Sequence, residues 1–222
     1  MKLDAVKKVY KRYAPYYDTV FGKVLDNGRQ EMLKRMSFNQ GDHILEVGVG
    51  TGISLTNYPN HTKVVGIDIS PEMLEKAQKR INSQQLSHVT VEVMDAQQMS
   101  FPDNSFDQLA IMYVVSVVPN PKKLMDEAKR VCKPNGSIYI VNHFGAQNKA
   151  MQFIEAKLDK IADKLGWQAA FLLPEFIENN DLKVISKKSV NLFGYWTLLK
   201  VQNVKNSKAE AGSPNSSRKA IN

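Results

Sequence analysis

Short apolar runs alternate with longer amphipathic segments along most of the chain. Five runs have the length and the β-branched content of buried strands: residues 42–47, 63–68, 89–94, 106–114 and 137–142. Apolar residues at three- and four-residue spacing predict a short helix from 51 and longer helices at 71–84, 121–132 and about 149–165. Two more strand patterns follow, at 182–188 and 191–202. This alternation predicts an open α/β fold with a mostly parallel sheet.

The two ends of the chain differ from this alternating centre. Residues 1–36 have the pattern of two amphipathic helices, 3–13 and 17–36, and the first carries several lysines beside its apolar stripe. Residues 204–222 are rich in Ser, Asn, Lys and Gly, so we expect a disordered basic tail. The sequence therefore predicts N-terminal amphipathic helices over 1–36, one α/β domain over 37–203 and the tail over 204–222.

A glycine-rich turn follows the first predicted strand and contains Gly48, Gly50 and Gly52. Glycine allows positive φ angles and close approach of a ligand to the backbone. No lysine follows Gly52, which argues against a triphosphate-binding loop, and the G-x-G-x-G spacing differs from that of dinucleotide-binding proteins. Asp68 ends the next predicted strand, where its carboxylate can accept hydrogen bonds from both ribose hydroxyls. The pattern indicates a site for an adenosyl ligand.

Four landmarks in this order resemble class I S-adenosylmethionine-dependent methyltransferases. They are the glycine turn preceded by Glu46, then Asp68, then Asp95-Ala96, and finally Phe106-Asp107 at the start of the fourth strand. The resemblance implies a Rossmann-like seven-stranded sheet, mostly parallel with an antiparallel C-terminal hairpin. It also implies S-adenosylmethionine as the cofactor, with S-adenosylhomocysteine as its product. The cofactor-binding residues that it implies are Glu46, Gly48, Gly50, Thr51, Gly52, Asp68, Ile69, Met73, Asp95, Ala96 and Met112.

Three longer strings resemble the soluble bacterial phosphatidylethanolamine N-methyltransferases more specifically. They are residues 12–22, 112–121 and 140–144, and the resemblance extends over roughly residues 8–145. It implies that methyl groups pass from S-adenosylmethionine to the amine of phosphatidylethanolamine and of its mono- and dimethyl derivatives, towards phosphatidylcholine. The basic tail lies outside this resemblance.

The acceptor side of the site has several candidate residues. The acceptor amine must lose a proton, and His143 is the candidate proton acceptor, with a structural or phosphate-contacting role as the alternative. Methylated ammonium groups are attracted to aromatic faces, so Tyr17 and Tyr113 are candidates beside the methyl group, with core packing as their alternative. Candidates for contact with the headgroup or the membrane are Lys8, Lys11, Arg12, Tyr13 and Tyr16.

The formal net charge of +8 is concentrated at the two ends. Residues 1–36 carry nine basic against four acidic residues, and residues 183–222 carry eight against one. Such ends suit an anionic membrane surface and a phosphatidylethanolamine-type lipid, although solvated lysines explain the same composition. Because Cys132 is the only cysteine and no signal sequence or membrane-spanning run is evident, we expect a cytoplasmic protein on the cytoplasmic face of the membrane. Nucleic acid, a metal ion and an obligate protein partner are not expected.

Two other functions stay open at this point. Quinone and other small-molecule methyltransferases share the glycine turn and Asp68, but they usually have a Leu-His-His-like string where this chain has Val115-Ser-Val117. A basic nucleic-acid-binding protein or an RNA methyltransferase would fit the sequence pI of about 9.4. Recognition of RNA would favour exposed aromatic residues among the basic ones, and the amphipathic N-terminal helix argues against it.

Overall fold

The computed structural model describes residue 22 and residues 24–145, 172–191 and 194–205. The predictions for helices 3–13 and 149–165, for nearly all of the tail, and for the beginning of helix 17–36 lie outside these residues. The described strands are β1 (His43–Val47), β2 (Lys63–Asp68), β3 (Val89–Val93), β4 (Phe106–Met112), β5 (Cys132–His143), β6 (Lys183–Val190) and β7 (Trp196–Gln202). The described α-helices are α1 (Asp26–Leu33), α2 (Pro71–Ser83), α3 (Pro121–Val131) and α4 (Leu173–Asn179).

The seven strands form one sheet in the order β3-β2-β1-β4-β5-β7-β6. Strands β1 to β5 pair in parallel with one another, whereas β7 pairs antiparallel with both β5 and β6. The predicted fold class, including the C-terminal antiparallel pair, is confirmed. The strand order reverses between β1 and β4, and in open α/β sheets ligands bind beyond the carboxyl ends of the strands at such a point.

Both faces of the sheet are covered, as buried parallel strands require. On one face, the apolar cluster includes Met32 of α1 and Leu74 of α2, and on the other it includes Leu124 of α3 and Phe176 of α4. Helix α2 begins as its sequence predicts, because Ser70 Oγ accepts a hydrogen bond from the Met73 N–H at 3.3 Å. No helix within the described ranges is both long and apolar enough to cross a bilayer.

Several element boundaries differ from the predictions. Strand β4 ends at Met112 rather than at 114, because Tyr113 has a φ of 62° that is incompatible with an extended strand. The predicted strand 191–202 begins only at Trp196, since Asn191 and Gly194 have φ angles of 54° and 85°. The helix predicted from 51 is a short 3₁₀ turn, Leu55–Asn57.

Strand β5 and helix α4 also depart from the predicted pattern. The strand predicted at 137–142 begins earlier, at Cys132, and its pairing with β4 jumps from Phe106↔Cys132 to Gln108↔Ser137. The chain therefore bulges there instead of ending a strand. Helix α4 was not predicted from the sequence. It spans only Leu173–Asn179, about two turns, which is too short for a clear helical period.

Candidate functional site

The glycine turn after β1 has the backbone geometry that its sequence predicts. Gly48, Gly50 and Gly52 have φ angles of 74°, 55° and 75°, which residues with a Cβ rarely adopt. A Cβ at Gly48 would collide with the side chain of Val114, whereas a Cβ at Gly50 would meet no atom within 4 Å. The backbone at Gly50 therefore faces open space, and a ligand can approach it closely.

Asp68 stands at the carboxyl end of β2 and is held by the glycine turn. Its Oδ2 accepts from the Gly50 N–H at 2.9 Å, and its Oδ1 accepts from the Ser70 N–H at 2.9 Å. Burial raises the pKa of this carboxyl group above its usual value, while the backbone N–H groups act in the opposite direction. Each oxygen keeps a second lone pair, so the carboxylate can still accept hydrogen bonds from two ribose hydroxyls.

One pocket lies at the carboxyl ends of β1 to β4 and encloses about 690 Å³, including its open mouth. Eight of the eleven predicted cofactor residues line it: Gly48, Gly50, Asp68, Ile69, Met73, Asp95, Ala96 and Met112. Glu46, Thr51 and Gly52 do not line it. Thr51 is buried, and a Cβ at Gly52 would press on Leu55 and Ala77, so Gly52 serves packing of the turn.

Asp95 and Ala96 follow β3 and line the same pocket. The Oδ1 of Asp95 accepts from the Gln97 N–H at 2.8 Å, which fixes the carboxylate beside Ala96. Gln97 Oε1 in turn accepts from the Asn120 N–H at 2.9 Å, at the start of α3. Asp95 is thereby oriented by contacts from two loops at the edge of the sheet.

Glu46 is a buried carboxylate at the end of β1, and only 1% of its surface is exposed. Its Oε1 accepts a short hydrogen bond from Ser54 Oγ, and its Oε2 has no hydrogen-bond partner among the described residues. Burial raises the pKa of Glu46 to about 7, although the hydroxyls of Ser54 and Tyr58 and the charge of Arg29 lower it. A buried carboxylate with a vacant oxygen costs free energy unless a ligand donates to it.

Two more buried polar atoms accompany this carboxylate without hydrogen-bond partners in the described part of the chain. They are Tyr58 Oη and Arg29 Nε. Tyr58 affects the pKa of Glu46, but its hydroxyl does not have the geometry of a hydrogen bond to the carboxylate. A sulfonium amino acid carries an ammonium group that donates and a carboxylate that accepts. Gly50 and Asp68 line the pocket and fit S-adenosylmethionine, whereas Glu46, Tyr58 and Arg29 are buried and are not among the described lining residues, so their contact with its amino-acid part stays a prediction.

Tyr113 follows β4 directly and lines the same pocket. Its backbone N–H donates to Val141 O at 2.7 Å, and its hydroxyl donates to Leu25 O at 2.7 Å. The hydroxyl also accepts from Asn191 Nδ2 at 2.9 Å. Because two protein groups engage the hydroxyl, the aromatic ring is the part of Tyr113 that suits contact with a ligand.

His143 occupies the last position of β5, opposite Trp196 of β7. Its ring stacks on Tyr195 with a centroid separation of 3.9 Å, and its Nδ1 lies 3.1 Å from Tyr195 O. It is not among the described residues that line the pocket. The structure therefore does not bring His143 together with the cofactor residues, and its role as proton acceptor stays a prediction. The remaining acceptor-side candidates lie outside the described residues: Tyr17, Lys8, Lys11, Arg12, Tyr13 and Tyr16.

Six further lining residues were not predicted from the sequence: Ile67, Met94, Val114, Val117, Val118 and Pro119. Four of them lie in the loop after β4. Their position directly after a predicted parallel strand could have identified these four residues, because loops at the carboxyl ends of such strands border the ligand site. Asn142 fixes this loop, because its Oδ1 lies 3.3 Å from both the N–H and the hydroxyl of Ser116.

Comparison with known proteins gives consistent matches. A family profile described as a methyltransferase domain matches residues 45–140. The chain is 37% identical over 203 residues to a phosphatidylethanolamine N-methyltransferase of Cereibacter sphaeroides, covering 91% of this chain and 99% of that protein. It is 29% identical over 181 residues to a demethylmenaquinone methyltransferase of Lactobacillus johnsonii, covering 77% and 69%. A solved SAM-dependent methyltransferase from Aquifex aeolicus matches with a TM-score of 0.60 at 21% identity, covering 90% and 98%.

Proposed function

The chain belongs to the class I S-adenosylmethionine-dependent methyltransferases, and we propose that it methylates the amine of phosphatidylethanolamine and of its mono- and dimethyl derivatives. The observation that carries this proposal is the 37% identity to the Cereibacter sphaeroides phosphatidylethanolamine N-methyltransferase, which extends over 99% of that protein. The demethylmenaquinone relative is matched over a smaller part of its length, at 29% identity.

The geometry of the acceptor side supports the same proposal. Two of the three strings that resemble lipid methyltransferases, 112–121 and 140–144, meet at the carboxyl ends of β4 and β5. They are joined by the hydrogen bonds between Ser116 and Asn142, and Asn142 is fully buried. Ser116 stands in the position where quinone methyltransferases usually have a histidine. The loop is therefore held by a small polar residue and leaves an apolar wall of valines at the pocket.

When bound, S-adenosylmethionine supplies an electrophilic methyl group on a sulfonium. Transfer would require an acceptor nitrogen with a free lone pair, so the ammonium group would have to lose one proton for each methyl group, and S-adenosylhomocysteine would be the leaving group. Direct displacement needs alignment more than covalent help from the protein. The apolar wall of Val114, Val117 and Val118 favours the neutral amine over the ammonium ion, because desolvation disfavours the charged form. The ring of Tyr113 contacts the methylated headgroup, whose positive charge is attracted to aromatic faces.

In this proposal the basic N-terminal region brings the enzyme to its lipid. Nine basic and four acidic residues over 1–36 give this region a net positive charge that attracts an anionic membrane surface, and Lys8, Lys11 and Arg12 are its proposed partners for the lipid phosphates. Tyr13, Tyr16 and Tyr17 are its proposed partners for the headgroup, and apolar residues of the first amphipathic segment are proposed to insert between lipids. His143 or water accepts the proton.

The test is a transfer assay with the full chain and methyl-labelled S-adenosylmethionine. The acceptors, in separate arms, are vesicles of phosphatidylethanolamine with an anionic lipid, vesicles containing demethylmenaquinone, and RNA. We expect label in monomethyl, dimethyl or choline phospholipid. Label in the quinone or in RNA, with none in phospholipid, contradicts the proposal. An Asp68→Ala variant serves as the control, because it removes the proposed ribose contacts and should abolish transfer in every arm.

A further inference from the structure

Asn191 makes an unusual number of side-chain contacts for a residue in a turn. It follows the last residue of β6 and is 8% exposed, with a left-handed φ of 54°. Its Oδ1 accepts from the Gly28 N–H at 2.6 Å, and its Nδ2 donates to Tyr113 Oη at 2.9 Å. Its own N–H donates to Asn27 Oδ1 at 3.0 Å. One buried side chain thereby connects helix α1, the turn after β6 and the tip of β4.

The three partners fit together with little room to spare. A Cβ at Gly28 would collide with the hydroxyl of Tyr113 and lie 2.8 Å from Asn191 Nδ2. Residue 28 is therefore glycine because Tyr113 and Asn191 pass directly over it, although glycine weakens a helix. The hydrogen bond from Gly28 to Asn191 joins residues that are 163 positions apart in the chain.

Tyr113 is the partner that reaches the site. It adopts a φ of 62°, and non-glycine residues persist in this conformation only where surrounding contacts hold them. Three hydrogen bonds do so, from its N–H to Val141 O, from its hydroxyl to Leu25 O and from Asn191 to its hydroxyl. Because Tyr113 lines the cofactor pocket, any freedom in its position becomes freedom in the pocket wall.

We propose that Asn191 is a positioning residue of the methyltransferase site, which fixes Tyr113 as the pocket wall and ties it to α1. Asn191 is not among the described residues that line the pocket and acts through the hydroxyl of Tyr113. Its effect on lipid methylation rests on the proposed function, whereas its effect on the cofactor pocket does not. The loss of Asn191 removes one of the hydrogen bonds to the Tyr113 hydroxyl, so the ring becomes less well ordered against the ligand.

The experiment measures S-adenosylhomocysteine affinity by calorimetry for Asn191→Ala, Tyr113→Phe and the double variant. Each single substitution should weaken binding by about 5- to 10-fold, which is the scale of one net hydrogen bond that preorganises a site. The double variant should bind no more weakly than the worse single variant, because both substitutions remove the same contact. Asn191→Asp separates the two roles of the side chain. It keeps the acceptor for Gly28 but cannot donate to Tyr113. The single hydroxyl proton of Tyr113 can then go either to this carboxylate or to Leu25 O, so one hydrogen bond at the hydroxyl stays lost and binding should remain weaker than that of the wild type.

The matched control is Asn180→Ala, since Asn180 is equally buried and donates to Phe176 O at 2.8 Å on the other face of the sheet. It should lower the midpoint of thermal unfolding without changing S-adenosylhomocysteine affinity. Wild-type affinity in both single variants, additive losses in the double variant, or full rescue by Asn191→Asp overturns the proposal. If Asn191→Ala does not fold, the S-adenosylhomocysteine affinity of Tyr113→Phe still tests the proposal, because this substitution removes the same hydrogen bond from the other side. Because the readout contains no acceptor, a failure of the phospholipid assay leaves this result interpretable on its own.

Discussion

Replacement of Glu46 by glutamine should stabilise the ligand-free protein and weaken its binding of the cofactor. The substitution keeps the shape of the side chain and an oxygen for Ser54, but it removes the buried charge. Burial raises the pKa of Glu46 from 4.5 to about 7, a difference worth about 3 kcal/mol at high pH. A folded-state pKa above the unfolded value means that the folded protein binds the extra proton. Its stabilising contribution is therefore complete below pH 4.5 and is lost as the pH rises through 7.

The assay is urea unfolding of the ligand-free wild type and Glu46→Gln at pH 5 and pH 8. From pH 5 to pH 8, the free energy of unfolding of the variant should gain about 2–3 kcal/mol relative to that of the wild type. Glu92→Gln, an exposed position on β3, is the control and should leave this difference unchanged. At pH 8, S-adenosylhomocysteine should bind Glu46→Gln about 10- to 100-fold more weakly, because its ammonium group loses a charged acceptor.

Two results would refute this reasoning about Glu46. A difference in stability that does not depend on pH would mean that the carboxylate is not penalised by burial. Unchanged S-adenosylhomocysteine affinity would mean that the vacant Oε2 does not receive the ammonium group of the ligand.

Three other predictions test separate parts of the site. Gly50→Leu should reduce S-adenosylhomocysteine affinity more than 100-fold, because the new side chain would fill the space at the glycine turn where the ligand approaches the backbone. Gly41→Leu is the control, since Gly41 has a φ of 81° and equally open space but does not line the pocket, and this variant should lose stability alone. Similar affinities of the two variants in calorimetry would contradict the role of Gly50 in binding. Ser116→Ala removes a hydrogen bond to Asn142 and should lower kcat several-fold while it lowers the free energy of unfolding by about 1 kcal/mol. An unchanged kcat would mean that the position of this loop does not matter for catalysis. Deletion of residues 1–12 should abolish vesicle binding in a sedimentation assay while activity on detergent-dispersed lipid survives, and unchanged vesicle turnover would count against docking.

The sheet and the cofactor side of the site could be predicted from the sequence because their signals are local. Strand β2 ends at Asp68 as predicted, and the glycines of the turn have the positive φ angles that their spacing requires. The hydrogen bond by which Ser70 caps α2 likewise involves only residues 70–73, which are consecutive in the chain. Such features depend on neighbours in the chain, so periodicity and residue type identify them.

The rest of the site depends on contacts between distant residues. The left-handed Tyr113 ended β4 earlier than the apolar run suggested, and its hydroxyl is held by Asn191, 78 residues away. The sequence around Arg29 does not predict that its Nε is buried near Glu46. The orientation of His143 towards Tyr195 follows from the pairing of β5 with β7. Periodicity carries no information on these contacts.

The most direct test of the account is calorimetric titration of the intact protein with S-adenosylhomocysteine, beside an Asp68→Asn variant. Asn retains one acceptor oxygen at the end of β2 and loses the other, so the fold should persist while the ribose loses a partner. The account predicts saturable binding of one molecule per chain by the wild type and binding at least about tenfold weaker by the variant. Absence of binding to the wild type, or equal affinity in the two proteins, would contradict the assignment of this pocket to the cofactor.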